Sequence, residues 1–340
     1  MKARRAMVAL EERFMLPSHV SPRARLWDAA HAALVLPLQL TSRVRHFTGS
    51  AGGAAWRVAC IADANGPLRM AARVVGPLLP AGNGPRRALW SASGIEVAGA
   101  DLVAARIHPW LAPRLRAADW LIVPETVRWI GDLSAVPPGT PGKSLRSDLK
   151  KIAEAAYRLE VAEQPRDWDE FYSTMLLPQA RVRFGEEAWI PSRPLRREVS
   201  QRGTLLFVVR AGTRVGGVCG VPAGDLVWLP FTGVLAGDPA LLREGVTAAA
   251  MVLALRWARE RGFAFVDLGR TSPFRNDGLQ SFKRKLGLRP FRDPLAHLVA
   301  IRADTSRPHV RSAFAAQPVL VETAHGLGTF SGTPQIGTAT

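Results

Sequence analysis

Residues 263–287 read FAFVDLGRTSPFRNDGLQSFKRKLG. Phe263 to Leu268 has the length and apolarity of a short buried strand, closed by Gly269 and a polar loop. A helix opens at Asn276-Asp277-Gly278. Asp277 is placed as its N-cap, and Gln280, three residues on, is in capping-box position. On a wheel of 3.6 residues per turn, Leu279, Phe282 and Leu286 share one face. Lys283, four residues after Leu279, leans to that same face, whereas Arg284 and Lys285 point elsewhere. A strand that stops at an acid and a glycine, followed by a capped helix with an inward lysine, has the makings of a site. The plainer alternative is a strand-turn-helix corner whose Lys283 snorkels along apolar surface.

The 340-residue chain exceeds one typical domain, and its 47% hydrophobic content excludes global disorder. Forty-five Lys and Arg against 28 Asp and Glu give a net charge of +17. Six of the 45 are lysines, so the excess is arginine. Such a field draws nucleic acid, anionic lipid or phosphorylated cofactors, although codon bias produces the same composition. Cys60 and Cys219 offer neither a disulfide framework nor metal spacing, and the seven histidines show none either. No metal is expected. The most apolar run, Ala29 to Leu40, is broken by Pro37 and falls short of the ~20 residues a spanning helix needs. The expectation is a cytoplasmic protein with no transmembrane segment, compatible with peripheral membrane contact.

Along the chain, Leu26 to Leu36 reads as a helix, Trp56–Ala62 and Leu68–Val75 as a hairpin about Asn65-Gly66, and Gly76 to Pro85 as a loop. A third strand is expected near Ala88–Ser93, then a helix from Leu102 to Ala117 capped by Asp101, then strands at Trp120–Val123 and Val127–Leu133. The breaker run Pro137-Pro138-Gly139-Thr140-Pro141-Gly142 reads as a domain boundary. Beyond it, Ser144 to Tyr157, Asp167 to Leu177 and Arg193–Arg202 read as helices, with Arg146, Lys150 and Lys151 making one side of the first strongly basic. Strands follow at Leu205–Arg210, Val215–Val221 and Leu226–Val234, then one long helix, Ala240–Arg261, and the strand at 263–268. His297–Arg302 reads as a final strand, and the Ser/Thr/Gly/Pro-rich residues 305–340 as a mobile tail. The order β-β-β-α-β thus occurs twice. The expected domains are 1–136 and 144–304, joined by a linker at 137–143.

That order, with two helices before it, resembles the GNAT acyltransferase fold, and two such lobes resemble the FemAB group. Specific residues carry the resemblance. They are Trp129-Ile130-Gly131-Asp132-Leu133-Ser134 with Leu145 to Ile152, then Arg181-Val182-Arg183-Phe184-Gly185. Asp267-Leu268-Gly269-Arg270, Asn276-Asp277-Gly278-Leu279, Phe282-Lys283 and Gly287 complete it. The resemblance implies an α/β (α+β) chain of tandem GNAT-like lobes, each a mixed, mostly antiparallel central sheet flanked by helices, with the first lobe degenerate. It implies acyl transfer to an amine on a small molecule or a cell-envelope or polysaccharide precursor. The donor is acyl-CoA such as acetyl-CoA, or alternatively aminoacyl-tRNA; a third reading is a non-catalytic basic binding protein on the same fold.

Aminolysis needs an unprotonated amine, a route for its proton and oxyanion stabilisation. On this reading Lys283 stabilises the developing oxyanion or a donor phosphate. Asp267 positions or deprotonates the amine, or is a structural acid paired with Arg270. The GNAT pyrophosphate loop is reduced to Leu242-Arg243-Glu244-Gly245-Val246, with one glycine. Arg243, Gly245 and Arg270 are the donor-binding candidates, and Arg183, Arg146 and Asn276 the acceptor-binding ones.

Overall fold

The computed structural model describes residues 41–61, 65–88, 97–185, 188, 190–293, 296–333 and 337–338. The helix expected at Leu26 to Leu36 and most of the strand expected at Ala88–Ser93 lie outside them. The described residues form two compact units: one of 129–269 and 282–289, the other of 41–128, 270–281 and 290 onward. The boundary expected at 137–143 therefore falls inside a unit. Arg259 holds that segment, its Nε donating to the Leu133 carbonyl at 2.9 Å and its guanidinium to that of Val136 at 2.7 Å.

The second unit opens with strands β1 (Thr41–Ala51) and β2 (Ala54–Ile61) and helix α1 (Gly66–Val75). The hairpin partner expected at Leu68–Val75 is thus a helix. Pro67 starts it, and Met70, Ala71, Val74 and Val75 fall at helical spacing on its buried face. Strand β3 (Leu78–Ala88) replaces the expected Gly/Pro loop; it sits at a sheet edge, where proline costs no ladder bond. Strand β4 (Leu102–Ile107), followed by a short helix α2 (Ala112–Arg116), replaces the helix expected from Leu102. Its run LVAARI is buried on both faces, which erases the alternation that marks a strand. Leu102 and Ala104 join one core, Val103, Ala105 and Ile107 the other. Asp101 does not cap a helix but accepts from the Arg57 amide and pairs with Arg307 and His309. Among the described residues the order through β5 is β-β-α-β-β-α-β, not the β-β-β-α-β expected for the first lobe. Strands β5 (Leu121–Pro124) and β6 (Val127–Asp132) stand where expected.

The first unit continues with α3 (Lys143–Glu154), whose N-cap is Gly142, and β7 (Arg158–Val161). Helix α4 (Pro165–Glu170) runs through a π-helical turn (Phe171–Leu176) into α5 (Leu177–Phe184), and α6 spans Arg193–Arg202. Strands β8 (Thr204–Arg210) and β9 (Thr213–Ala223) match expectation, but the next splits into β10 (Leu226–Trp228) and β11 (Thr232–Val234). The long helix divides likewise into α7 (Pro239–Arg243) and α8 (Val246–Glu260), broken where Gly245 takes φ +91°. After β12 (Phe265–Thr271) and α9 (Gly278–Lys285) comes β13 (Arg289–Arg292). The sheet order is β13-β6-β12-β10-β9-β8-β7, with β11 on β9.

Strand β14 (Leu298–Ala303) does not extend this sheet. It lies antiparallel between β4 and β5 in the sheet β3-β1-β2-β4-β14-β5. The tail expected after residue 304 is instead ordered structure: helix α10 (Pro308–Ala316) and strands β15 (Val319–Thr323) and β16 (Gly326–Phe330). Val310, Phe314, Val319 and Phe330 are buried in one core with Trp56 and Met70. The six- and eight-stranded sheets are mixed and mostly antiparallel, as expected, with helices packed on them, and β15 and β16 belong to a small third sheet.

Glycines of β9 set how closely helices approach in the first unit. A methyl on Gly217 would lie 2.9 Å from the Phe171 ring, and one on Gly216 2.6 Å from Val246. One on Gly220 would meet Trp257 at 3.0 Å. Strand side chains alternate faces, so the π turn packs on one face at 217 and α8 on the other at 216 and 220. On β11, a methyl at Gly233 would come within 2.6 Å of the Leu176 backbone nitrogen. Gly233→Ala is therefore expected to lower stability by about 2–4 kcal/mol in urea unfolding, because backbone cannot swing aside. Gly278→Ala, with open space around its position, is expected to stay within about 0.5 kcal/mol of the parent.

Candidate active site

Strands β10 and β12 are parallel for three residues, Leu226↔Phe265, Val227↔Val266 and Trp228↔Asp267. The Leu229 amide still donates to the Asp267 carbonyl at 2.8 Å. Pro230 has no N–H to continue the ladder, and β11 goes on against β9. The two strands part at Asp267.

Two buried groups of the 263–287 stretch, Asp267 and Lys283, meet at that point. Asp267 is fully buried, and its Oδ1 accepts from the Gly269 amide at 2.7 Å. Gly269 adopts φ +72°, a left-handed conformation that costs a side-chain-bearing residue about 1–2 kcal/mol. Its carbonyl accepts from Lys283 Nζ at 3.1 Å, and Lys283 is only 6% exposed. A carboxylate and an ammonium thus converge on the two ends of one peptide residue. Asp277 caps α9 as expected, Oδ1 accepting from the Leu279 amide at 2.8 Å. Gln280 does not close a capping box; it is buried, and its Nε2 donates to the Ser272 carbonyl at 2.6 Å.

The second focus is the start of α8. Gly245 in its left-handed turn leaves the first-turn amides without a side chain over them, and such orphan donors with the helix dipole suit an anion. Lys151 of α3 crosses here: its side chain passes within 4 Å of where a Gly245 methyl would stand, and Nζ donates to the Arg243 carbonyl at 2.9 Å. Thr247 Oγ1, one residue into the helix, is enclosed without a hydrogen-bond partner. Glu244, which would repel an anion, pairs with Arg210. These groups fit a phosphate-bearing donor better than Arg243, whose side chain is exposed. Lys151 is the residue that a reading of α3 as a basic face did not single out; its distance of 92 positions from Arg243 hid the contact.

The remaining candidates are dispersed. Arg270 is committed to the buried carboxylate of Asp293, and Asn276 donates to the Ala316 carbonyl. Arg146 and Arg183 are exposed on α3 and α5. The Asp132-Leu133-Ser134 motif is a turn, in which the Ser134 hydroxyl and amide donate to Asp132 and hold its carboxyl below the ordinary range. Among the described residues no His, Cys, Asp or Glu group of metal-binding form occurs, and no helix is long and apolar enough to cross a membrane.

Residues 142–284 match the family model of the acetyltransferase (GNAT) domain. This segment is a GNAT domain. It contains all eight candidate residues. No curated protein matches the chain. Among solved structures, FemX is similar with 10% identity and a TM-score of 0.40, covering 74% of this chain and 83% of its own. L-PGS from Bacillus licheniformis shows 13% identity and a TM-score of 0.39 over 76% of this chain and 84% of its own. A tandem GNAT protein from the clavulanic acid biosynthesis pathway shows 16% and 0.32 over 78% and 83%.

Both cysteines of the chain, Cys60 and Cys219, are unpaired and buried. Burial pushes both the Cys60 and the Cys219 thiols up to about 12. At pH 8 the thiolate is then about one part in ten thousand, so both are expected to resist iodoacetamide in the native protein and label fully in denaturant, read by intact mass.

Proposed function

We propose that the chain is an N-acyltransferase that moves an acyl group from acyl-CoA to an amine. The parting of β10 and β12 at Asp267, inside a GNAT domain, carries this reading, because it leaves room for an extended donor arm between strands. The donor's phosphates would meet the first-turn amides of α8, Thr247 and Lys151. The amine nitrogen attacks the thioester carbonyl, the oxyanion forms and collapses, the C–S bond breaks, and the proton lost by the amine ends on the departing CoA sulfur as the free thiol. Lys283 would donate to the oxyanion or leaving thiolate from its buried position, where a charge-assisted hydrogen bond is little screened. Asp267, held by the Gly269 amide, would orient the amine; positioning alone supplies much of the rate in such transfers.

Aminoacyl-tRNA is the second donor reading, favoured by the net charge of +17 and the single glycine at the α8 start. The acceptor under either reading is a small-molecule or envelope-precursor amine, and the reaction is cytoplasmic. A non-catalytic binding protein on this fold is the third.

Titration calorimetry with acetyl-CoA separates them. Binding at micromolar to millimolar ligand supports the first, and no heat at millimolar sinks it; co-purified tRNA released along a steep salt slope supports the second. Lys283→Met, which keeps the packed methylenes, is expected to lower kcat by about 10²–10³ while donor affinity holds. Lys151→Ala is expected to weaken the donor about tenfold with kcat unchanged.

A further inference from the structure

A cavity of about 240 Å³ lies between the π turn and α6, in the first unit. Phe171 and Phe231, both buried, and Trp168 and Leu176 supply apolar lining. Arg193, Arg196 and Arg197 supply the charge, against one acid, Asp169. The cavity lies on the sheet face of Gly217 and Phe171, opposite the face that packs α8.

Three observations there are unexplained by the fold. First, α6 opens with three arginines and no acid in its first turn, although cations at a helix N-terminus oppose its dipole by roughly 0.3–1 kcal/mol each. Among the described residues no carboxylate pairs with any of the three. Second, the Arg196 guanidinium carbon stacks 3.8 Å from the centre of the Tyr172 ring, which fixes the plane of its donor fork before any ligand arrives. Third, Arg196 Nε is enclosed and has no hydrogen-bond partner. A buried donor on a cation left unmade is costly, and a side-on oxyanion is the group that satisfies it.

We infer that this cavity is a binding subsite for an oxyanion, phosphate or carboxylate, carried on a ring or short apolar body. Arg196 grips the oxyanion, Arg193 and Arg197 add charge at the rim, and the aromatic lining takes the body. At about 240 Å³ the space is below the ~300–1,000 Å³ of a pocket for a whole drug-sized ligand, so it holds one end of a larger molecule or a small one. The inference stands without the donor assignment, since it rests on the opposite sheet face from the start of α8.

Calorimetry on the full chain tests it with phenyl phosphate, benzoate and inorganic phosphate as probes. Phenyl phosphate or benzoate should bind at least tenfold more tightly than inorganic phosphate, and the tighter of the two names the oxyanion. Arg196→Gln should weaken that probe at least tenfold, with Arg196→Lys intermediate because it keeps charge but not the planar fork. The exposed pair Arg193→Gln/Arg197→Gln should weaken it threefold or more, and serves if Arg196→Gln fails to fold. Probe heat should persist at saturating acetyl-CoA. Binding of neither organic probe, no advantage over inorganic phosphate, affinity unchanged in the folded variants, or displacement by acetyl-CoA would each overturn the inference.

Discussion

Missing side chains on β9 and β11 fix the arrangement of the GNAT domain. Gly216 and Gly220 admit Val246 and Trp257 of α8 to one face, while Gly217 and Gly233 admit Phe171, Met175 and Leu176 of the π turn to the other. A β-carbon at any of these positions sits at or inside 3.0 Å of its neighbour, and several neighbours are backbone. Close approach on both faces sets the depth of the α8 start and the depth of the aromatic floor under Arg196. Glycines thereby set the position of both helical layers against the sheet.

Gly269 concentrates a comparable constraint at the strand end. Burying a carboxylate and an ammonium costs several kcal/mol per ion unless hydrogen bonds compensate. The left-handed turn at Gly269 presents its N–H to Asp267 and its C=O to Lys283, so a single peptide residue serves two buried ions. The ions are held in place with their charges close to the parting strands. Lys283 does not snorkel to solvent from this strand-turn-helix corner, because its Nζ ends on the Gly269 carbonyl inside the protein.

What the sequence made legible was local. Asp277 two residues before Leu279 is a cap wherever the helix packs, and the leaning of Lys283 follows from 3.6 residues per turn. Paired strands β8 and β9 were legible because turn residues and apolar runs coincide at 211–213. Leu102 to Ile107 was not, since a strand buried on both faces has no period to read. Pro67 and the spacing of Met70 and Val74 did mark α1, but the Asn-Gly turn signal at 65–66 outweighed them. Residues 305–340 are compositionally tail-like, and only contact with Trp56 and Met70, some 250 positions away, orders Phe314 and Val319. The commitment of Arg270 to Asp293 and the reach of Lys151 to Arg243 are long-range in the same sense. A buried acid cannot be told from an exposed one in the sequence.

The interleaving of the two units has a consequence for how the chain is made. Residues 129–269 are contiguous and hold most of one unit, including its core from Phe171 to Phe231. The other unit draws one core from Phe47 through Phe330 and places β14 between β4 and β5. Strands β1 to β5 therefore precede along the chain the residues 298–330 that complete their sheet and core. The later-begun unit is complete sooner. The unit that begins first along the chain is thus the one completed last, so its apolar faces would stay uncovered longest during synthesis.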